Sequence, residues 1–378
     1  MPFCCLLANL INFFLIPFRN SSMELIVLLL LFLHLYSAVT IVLSSSPCAP
    51  ALYVFGDSMF DNGNNNFLPT LAKVNFLPYG VNFAEGPTGR FSNGRIIPDY
   101  IAEYTGLPYP PPYLSIKEST PVTGLNYASG SCGILPKAEI EWGKCLTLDD
   151  QIELFQRTVE SELPKSFENT NQLMDYLSNS VFVFSIGSND YLNIYLEPNL
   201  FHEYKIYTPQ EFADLLLSRL SQRFERLYNL GVGKLVMLEI GPVGCIPSIT
   251  RNRANQNGKC DEESNQIVSY FNRKLPQMLR NLTSTLQAST LVQGRFGWLA
   301  YDAIMKPSNY GLEDTSNPCC ITLFNGICIP WLKACINPDD HLFFDGYHIT
   351  EALVSVIAAH CIADTSVCNP TIIQLIEM

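Results

Sequence analysis

Short apolar runs rich in β-branched and aromatic residues recur along the chain, separated by stretches whose apolar positions fall three or four apart. Leu52–Phe55, Leu125–Tyr127, Val181–Ile186, Leu235–Ile240 and Thr290–Val292 read as strands, because short unbroken apolar runs fit strands buried on both faces. Leu148–Glu160, Pro209–Leu230, Glu262–Leu286 and Thr350–Ala363 carry the spacing of helices. Strand–helix alternation with continuously apolar strands predicts a parallel sheet covered by helices on both sides. A single doubly wound α/β domain over residues 47–378 is the simplest arrangement, since no repeat or low-complexity linker divides it. Ligands in such folds bind beyond the carboxyl ends of the strands. The polar turns after the apolar runs are therefore where chemistry is to be sought.

Residues 1–46 are a different material. Leu25 to Leu43 is almost wholly apolar and is followed by Ser44-Ser45-Ser46, the pattern of a secretory signal with a small-residue cleavage site. The upstream apolar patch Leu6 to Phe18 and the second methionine, Met23, suggest a start at Met23; Glu24 stands where a positive charge is usual. The run is also long enough to span a bilayer. Cleavage is the expectation, leaving a mature chain with no stable membrane insertion, secreted to the extracellular space or the cell wall.

Cysteine usage points the same way. Of thirteen cysteines only Cys4 and Cys5 lie in the presequence, and such a density suits an oxidising compartment. Cys132 with Cys145, and Cys245 with Cys260, are candidates for local pairs. Cys319, Cys320, Cys328 and Cys335 lack the paired spacing of a structural zinc site and read as disulfides pinning a loop. Asn281-Leu282-Thr283 is the one N-glycosylation sequon after the presequence. The formal net charge of −12 leaves no basic stripe for a nucleic acid, and a soluble monomer is expected.

The chemistry sits at the two ends of the domain. Tyr53-Val54-Phe55-Gly56-Asp57-Ser58 delivers a serine from a strand onto a polar turn, and Asp345-Gly346-Tyr347-His348 places a carboxylate three residues before a histidine. Serine is a weak nucleophile until a base takes its proton, and a carboxylate on the far ring nitrogen fixes the base's tautomer. Of the other histidines, His34 lies in the presequence, His202 in a loop, His341 beside Asp339-Asp340 and His360 late in a helix. A base of this kind works unprotonated, so activity should fall at acidic pH. An oxyanion needs preorganised donors, and Asn189 in Gly187-Ser188-Asn189-Asp190 and the small-residue turn 126–133 are candidate sources. A metal site at Asp57, Asp61, Asp345 and His348 lacks the spacing of a calcium loop, and neither metal nor cofactor is expected. Tyr79, Phe83, Tyr104, Tyr109 and Tyr113 are candidates to line an acyl groove.

These blocks, in this order, resemble those of the SGNH superfamily. More narrowly, Gly56-Asp57-Ser58-Met59-Phe60-Asp61-Asn62-Gly63-Asn64-Asn65, Phe91-Ser92-Asn93-Gly94-Arg95 and Gly241-Pro242-Val243-Gly244-Cys245 are similar to plant GDSL-type esterases/lipases, with Met59 where the name-giving leucine usually stands. The resemblance runs from about Leu52 to Ala363 and implies a flavodoxin-like three-layer sandwich. It implies Ser58 as nucleophile, His348 as base and Asp345 as its orienter. The implied oxyanion donors are the Ser58 N–H, Asn189 and a glycine, Gly130 or alternatively Gly133. The implied activity is hydrolysis of acyl esters through an acyl-enzyme. The alternatives are acyl transfer by the same residues, or a secreted binding glycoprotein with an inactive site. The usual nucleophile elbow of the α/β-hydrolases, Gly-x-Ser-x-Gly, is absent around Ser58.

Overall fold

A computed structural model describes residues 47–117, 119–136, 142–197, 204, 206–252 and 260–378. The presequence with Met23, and His202, lie outside the described residues. Strands β1 (Leu52–Gly56), β2 (Val181–Ser185), β3 (Lys234–Leu238) and β4 (Thr290–Gly294) pair in parallel in that order. The stretch expected as a strand at Leu125–Tyr127 lies on the free side of β1. It is held there by Val54 N–H to Leu125 O at 3.0 Å and Tyr127 N–H to Val54 O at 2.8 Å. Its outer edge meets the Pro111–Tyr113 turn, through Asn126 N–H to Pro111 O at 3.0 Å, so it forms an isolated bridge and no regular strand. The chain thus steps from β1 to one side and then returns to build the sheet on the other. That reversal creates the crevice in which doubly wound folds bind their ligands.

Alternate strand residues feed two cores, as the pleat requires. Tyr53, Phe55, Phe182, Phe184 and Met237 pack against the helices Leu148–Arg157, Thr170–Asn179, Pro209–Asn229 and Glu262–Thr285. Leu52, Val54, Val183, Val236 and Leu238 pack against Ile97–Thr105, Phe296–Met305, Glu351–Ala363 and Ile372–Glu377. The first core is aromatic, with the Phe55 and Phe184 rings stacked at 4.7 Å; the second is aliphatic. Full burial of each such side chain stabilises the fold by about 1.5–3 kcal/mol before entropy is counted. This is the three-layer α/β architecture that the apolar patterning implied.

Two of the expected helices begin where the sequence provides caps. Thr208 accepts from Glu211 N–H, with Pro209 at the first helical position, and Thr147 caps through Asp150 in the same way. Five short helices among the described residues lie outside the expected stretches: Ile97–Thr105, Thr170–Asn179, Pro247–Asn252, Phe296–Met305 and Ile372–Glu377. Phe296–Met305 is apolar at almost every position, so it has no polar face to reveal a helical period. Among the described residues no helix is long and apolar enough to cross a membrane.

Five disulfides brace the loops among the described residues. Cys132–Cys145 and Cys245–Cys260 join as anticipated. Cys319–Cys335 and Cys320–Cys328 tie the loop before Asp345, and Cys361–Cys368 is a further local pair. With Cys319 and Cys335 bonded to each other, their sulfurs are not zinc-ligating thiolates. The loop ends in a small sheet of β5 (Asp314–Pro318) and β6 (His341–Phe343), which carries the chain into Asp345.

Candidate active site

Ser58 follows β1 directly. Gly56 ends the strand at φ 149°, and a Cβ there would lie 2.2 Å from Ser185 O, so only glycine lets the two strand ends approach. The buried Gln151 side chain accepts from Gly56 N–H at 2.9 Å and donates to Gly56 O at 2.8 Å. Asp57 N–H donates to Ser185 O at 2.9 Å. The turn carrying Ser58 is therefore fastened on both sides. Gln151 sits on an amphipathic helix as a polar residue at a core position, which is the one signal that could have found it.

His348 reaches this turn from the far end of the chain. Its Nε2 lies 2.7 Å from Ser58 Oγ, and its Nδ1 lies 2.8 Å from Asp345 Oδ2 and 2.9 Å from Oδ1. Asp345 Oδ1 also accepts the Tyr347 and His348 N–H groups, both at 2.8 Å. These bonds close the Asp-x-x-His turn that the intervening Gly346 permits. The Phe91 ring stands 4.9 Å from the imidazole. Asn93 Oδ1 accepts Glu351 N–H at 2.8 Å, and Arg95 Nε pairs with Glu351 at 2.5 Å. The Phe91–Arg95 block thus holds the helix start that follows His348.

Tyr79 completes the surroundings of the carboxylate. Its Oη donates to Asp345 Oδ2 at 2.6 Å and accepts Cys328 N–H at 3.1 Å. Burial and the nearby Asp345 charge hold the phenol well above its usual range, so it stays a donor. As a groove-lining aromatic it was misplaced. Phe83 and Tyr109 clamp the Arg90 guanidinium, at 4.3 and 5.7 Å, and Tyr113 stacks on Tyr127 at 5.2 Å. None of the five expected aromatics lines the pocket at Ser58.

The oxyanion candidates divide. Asn189 lines the pocket beside Ser58, and its Nδ2 donates one bond to Cys132 O at 2.9 Å. Gly130, by contrast, donates its N–H to Asp61 Oδ2 at 3.0 Å, and its carbonyl accepts Asn65 Nδ2 at 3.0 Å. Both its polar groups are committed away from the serine, which corrects the expectation for Gly130. At Gly133 a Cβ would lie 2.4 Å from Asp190 Oδ2, so this glycine makes room for the Asp190 carboxylate. It is Ser131 that lines the pocket, in the left-handed region at φ 69°. Spacing could not single it out, because the turn holds four small residues in a row.

Three buried carboxyls frame this turn. Asp190 accepts Ile134 N–H at 2.7 Å and Leu135 N–H at 2.8 Å, and burial pushes it up to about 7. Asp61 accepts the Gly63 and Asn64 N–H groups, both at 2.8 Å, and burial still raises it to about 6. The Asp57 carboxyl accepts Met59 N–H at 3.0 Å through Oδ1. Its Oδ2 has no hydrogen-bond partner among the described residues, and burial pushes it up to about 7.

Beyond Ser58 the pocket is apolar. Phe296, Ala300 and Ile304, one face of a helix, line it together with Leu342, Phe343 and Ile349. The Gly241-Pro242-Val243 stretch after β3 forms a further wall. Asn281, the sequon residue, is exposed on the helix Glu262–Thr285.

An ester hydrolase on a three-layer α/β fold is the class that architecture and relatives together define. The GDSL-like lipase/acylhydrolase family model matches residues 52–361, and the chain belongs to that family. It is 41% identical over 318 residues to GDSL esterase/lipase 7 of Arabidopsis thaliana, covering 82% of this chain and 87% of the relative. It is 39% identical over 318 residues to GDSL esterase/lipase At5g08460 of the same organism, covering 82% of each. These relatives identify an esterase/lipase-type hydrolase.

Proposed function

We propose that the protein hydrolyses carboxylic esters with apolar acyl groups through a Ser58–His348–Asp345 triad and an acyl-enzyme intermediate. The observation that carries this reading is the unbroken hydrogen-bond path from Ser58 Oγ through both His348 ring nitrogens to the buried Asp345 carboxylate. In the first half-reaction His348 takes the Ser58 proton as Oγ attacks the ester carbonyl. The tetrahedral oxyanion is met by the Ser58 and Ser131 N–H groups and the Asn189 amide, each worth about a hundredfold or more in rate. The C–O bond breaks, and His348 returns the proton to the departing alcohol. In the second half-reaction water, deprotonated by His348, attacks the acyl-enzyme; the bond from the acyl carbon to Ser58 Oγ breaks, His348 returns the proton to Oγ, and the carboxylic acid leaves.

The apolar pocket supports an acyl rather than a polar leaving-group role for that space. Five disulfides support export, and the exposure of Asn281 fits N-glycosylation in the secretory pathway. The test is turnover of p-nitrophenyl esters by secreted protein beside Ser58→Ala. Loss of turnover by about four orders of magnitude or more, with the melting temperature held, is expected. Residual turnover within tenfold of wild type would overturn the assignment.

A further inference from the structure

Nine of the sixteen large apolar side chains that stand exposed among the described residues fall in two short segments, 67–77 and 321–336. Phe324 and Ile336 are fully exposed, and Trp331 and Leu71 nearly three-quarters so. Side chains of this size scattered singly need no explanation, but concentration in one region does. The two segments are joined. Trp331 N–H donates to Leu77 O at 2.7 Å, and Ala72, Val74, Tyr79, Ile327 and Cys328 share one small buried core.

That core is also the rim of the pocket. Ala72 and Ile327 line it, so the same two segments present apolar atoms inward to the site and outward to solvent. At the tip, Leu323 N–H bonds to Ile327 O at 2.7 Å, and Ile329 N–H bonds to Ile321 O at 2.8 Å. The Cys319–Cys335 and Cys320–Cys328 bridges hold this hairpin at its base. Held in this way, the exposed side chains cannot fold back to bury themselves.

Charge says what covers them. The chain carries a formal net charge of −12. Yet residues 67–77 and 319–336 contain no Asp or Glu and two lysines, Lys73 and Lys333. An apolar face edged by lysines in an acidic protein suits a surface of acyl chains under phosphate headgroups.

We propose that this disulfide-braced face docks the enzyme on the surface of a phospholipid aggregate or membrane, placing the pocket mouth where acyl chains emerge. The choice of partner rests on the ester-hydrolase reading above. Docking by this face would deliver an acyl ester to Ser58 without first dissolving it in water.

The experiment compares wild type with the combined variant Phe324→Ser, Trp331→Ser, Ile336→Ser. Co-flotation with phosphatidylcholine vesicles, with and without phosphatidylglycerol, is measured beside turnover of soluble p-nitrophenyl acetate. Wild type should float with the vesicles, more strongly when the anionic lipid is present. The variant should lose vesicle binding by about a hundredfold or more while turning over the soluble ester at the wild-type rate. Wild type that hydrolyses the soluble ester yet stays off both vesicles would overturn the proposal. So would a variant that binds as well as wild type, or a wild type whose face is consumed in a concentration-dependent dimer that the variant abolishes. Vesicle binding by a protein inert toward every soluble ester would sink the hydrolase reading and leave the docking face standing.

Discussion

Tyr79 Oη donates to Asp345 Oδ2 at 2.6 Å, behind the carboxylate and out of reach of any substrate. The phenol shares the negative charge that Asp345 presents to His348. Removing it leaves the carboxylate one donor short, so more of its negative charge faces the imidazole. For Tyr79→Phe we expect kcat/KM to fall about tenfold and the acid limb of its pH profile to move to higher pH. A merely structural role would lower the melting temperature with the limb unmoved. Rate–pH profiles beside thermal melts distinguish the two.

The Cys320–Cys328 bridge supports the same relay from further out, since Cys328 N–H donates to Tyr79 Oη at 3.1 Å. Closing a loop of this length contributes about 2–3 kcal/mol in the chain-entropy picture. Replacing both cysteines by alanine should lower stability by that amount and reduce turnover of soluble esters. Replacing Cys361 and Cys368, remote from Tyr79, should cost comparable stability with turnover kept. Equal activity of the two double variants would break the proposed link.

Acyl length should be read at Ala300. It is buried on the pocket-lining face of the helix Phe296–Met305, where a larger side chain takes space from the ligand. Excluding two or three methylenes at about 0.8 kcal/mol each predicts that Ala300→Leu lowers kcat/KM for a dodecanoate ester by about 10–50-fold. Turnover of the acetate ester should not change. A uniform loss across chain lengths would place the acyl group elsewhere.

Asp57 predicts a pH-dependent stability. Its carboxyl titrates near 4 when unfolded, and burial pushes it up to about 7 in the native protein. Between those values the native state holds a proton that the unfolded chain has released. The associated stability is therefore fully present below about pH 4 and is lost as pH rises through about 7. Asp57→Asn, which removes the titration, should match wild type in melting temperature near pH 4 and exceed it above pH 7, where its unfolding free energy should be greater by up to about a few kcal/mol. Asp61→Asn should destabilise at every pH, because Asp61 uses both oxygens as acceptors for backbone N–H groups. A melting-temperature difference for Asp57→Asn that does not change with pH would defeat the argument.

Much of this molecule was legible in its local pattern. Apolar runs such as Val181–Ser185 are strands because the sheet is covered on both faces, and burial leaves no other residue types acceptable. The approach of Ser58 to His348 and Asp345 was legible because both blocks are short polar turns whose backbone needs are written beside them, as with Gly346 between the carboxylate and the base. The helix Phe296–Met305 was not legible, since it is apolar at almost every position and so shows no period. Local pattern also could not say where Tyr79 and Gln151 go, because their partners lie 266 and 95 residues away.

The choice between Gly130 and its neighbours was decided only in three dimensions. The turn from Ser129 to Gly133 offers several N–H groups of equal local promise. Asp61, some 69 residues earlier, takes the one at Gly130 and leaves Ser131 facing the pocket. Chain composition determined that this protein has a covered parallel sheet with a serine, a histidine and a carboxylate at its polar turns. Tertiary structure decided which residues of the turn line the pocket and which are spent holding it, because a hydrogen-bond donor serves one direction at a time and its direction is set by distant partners.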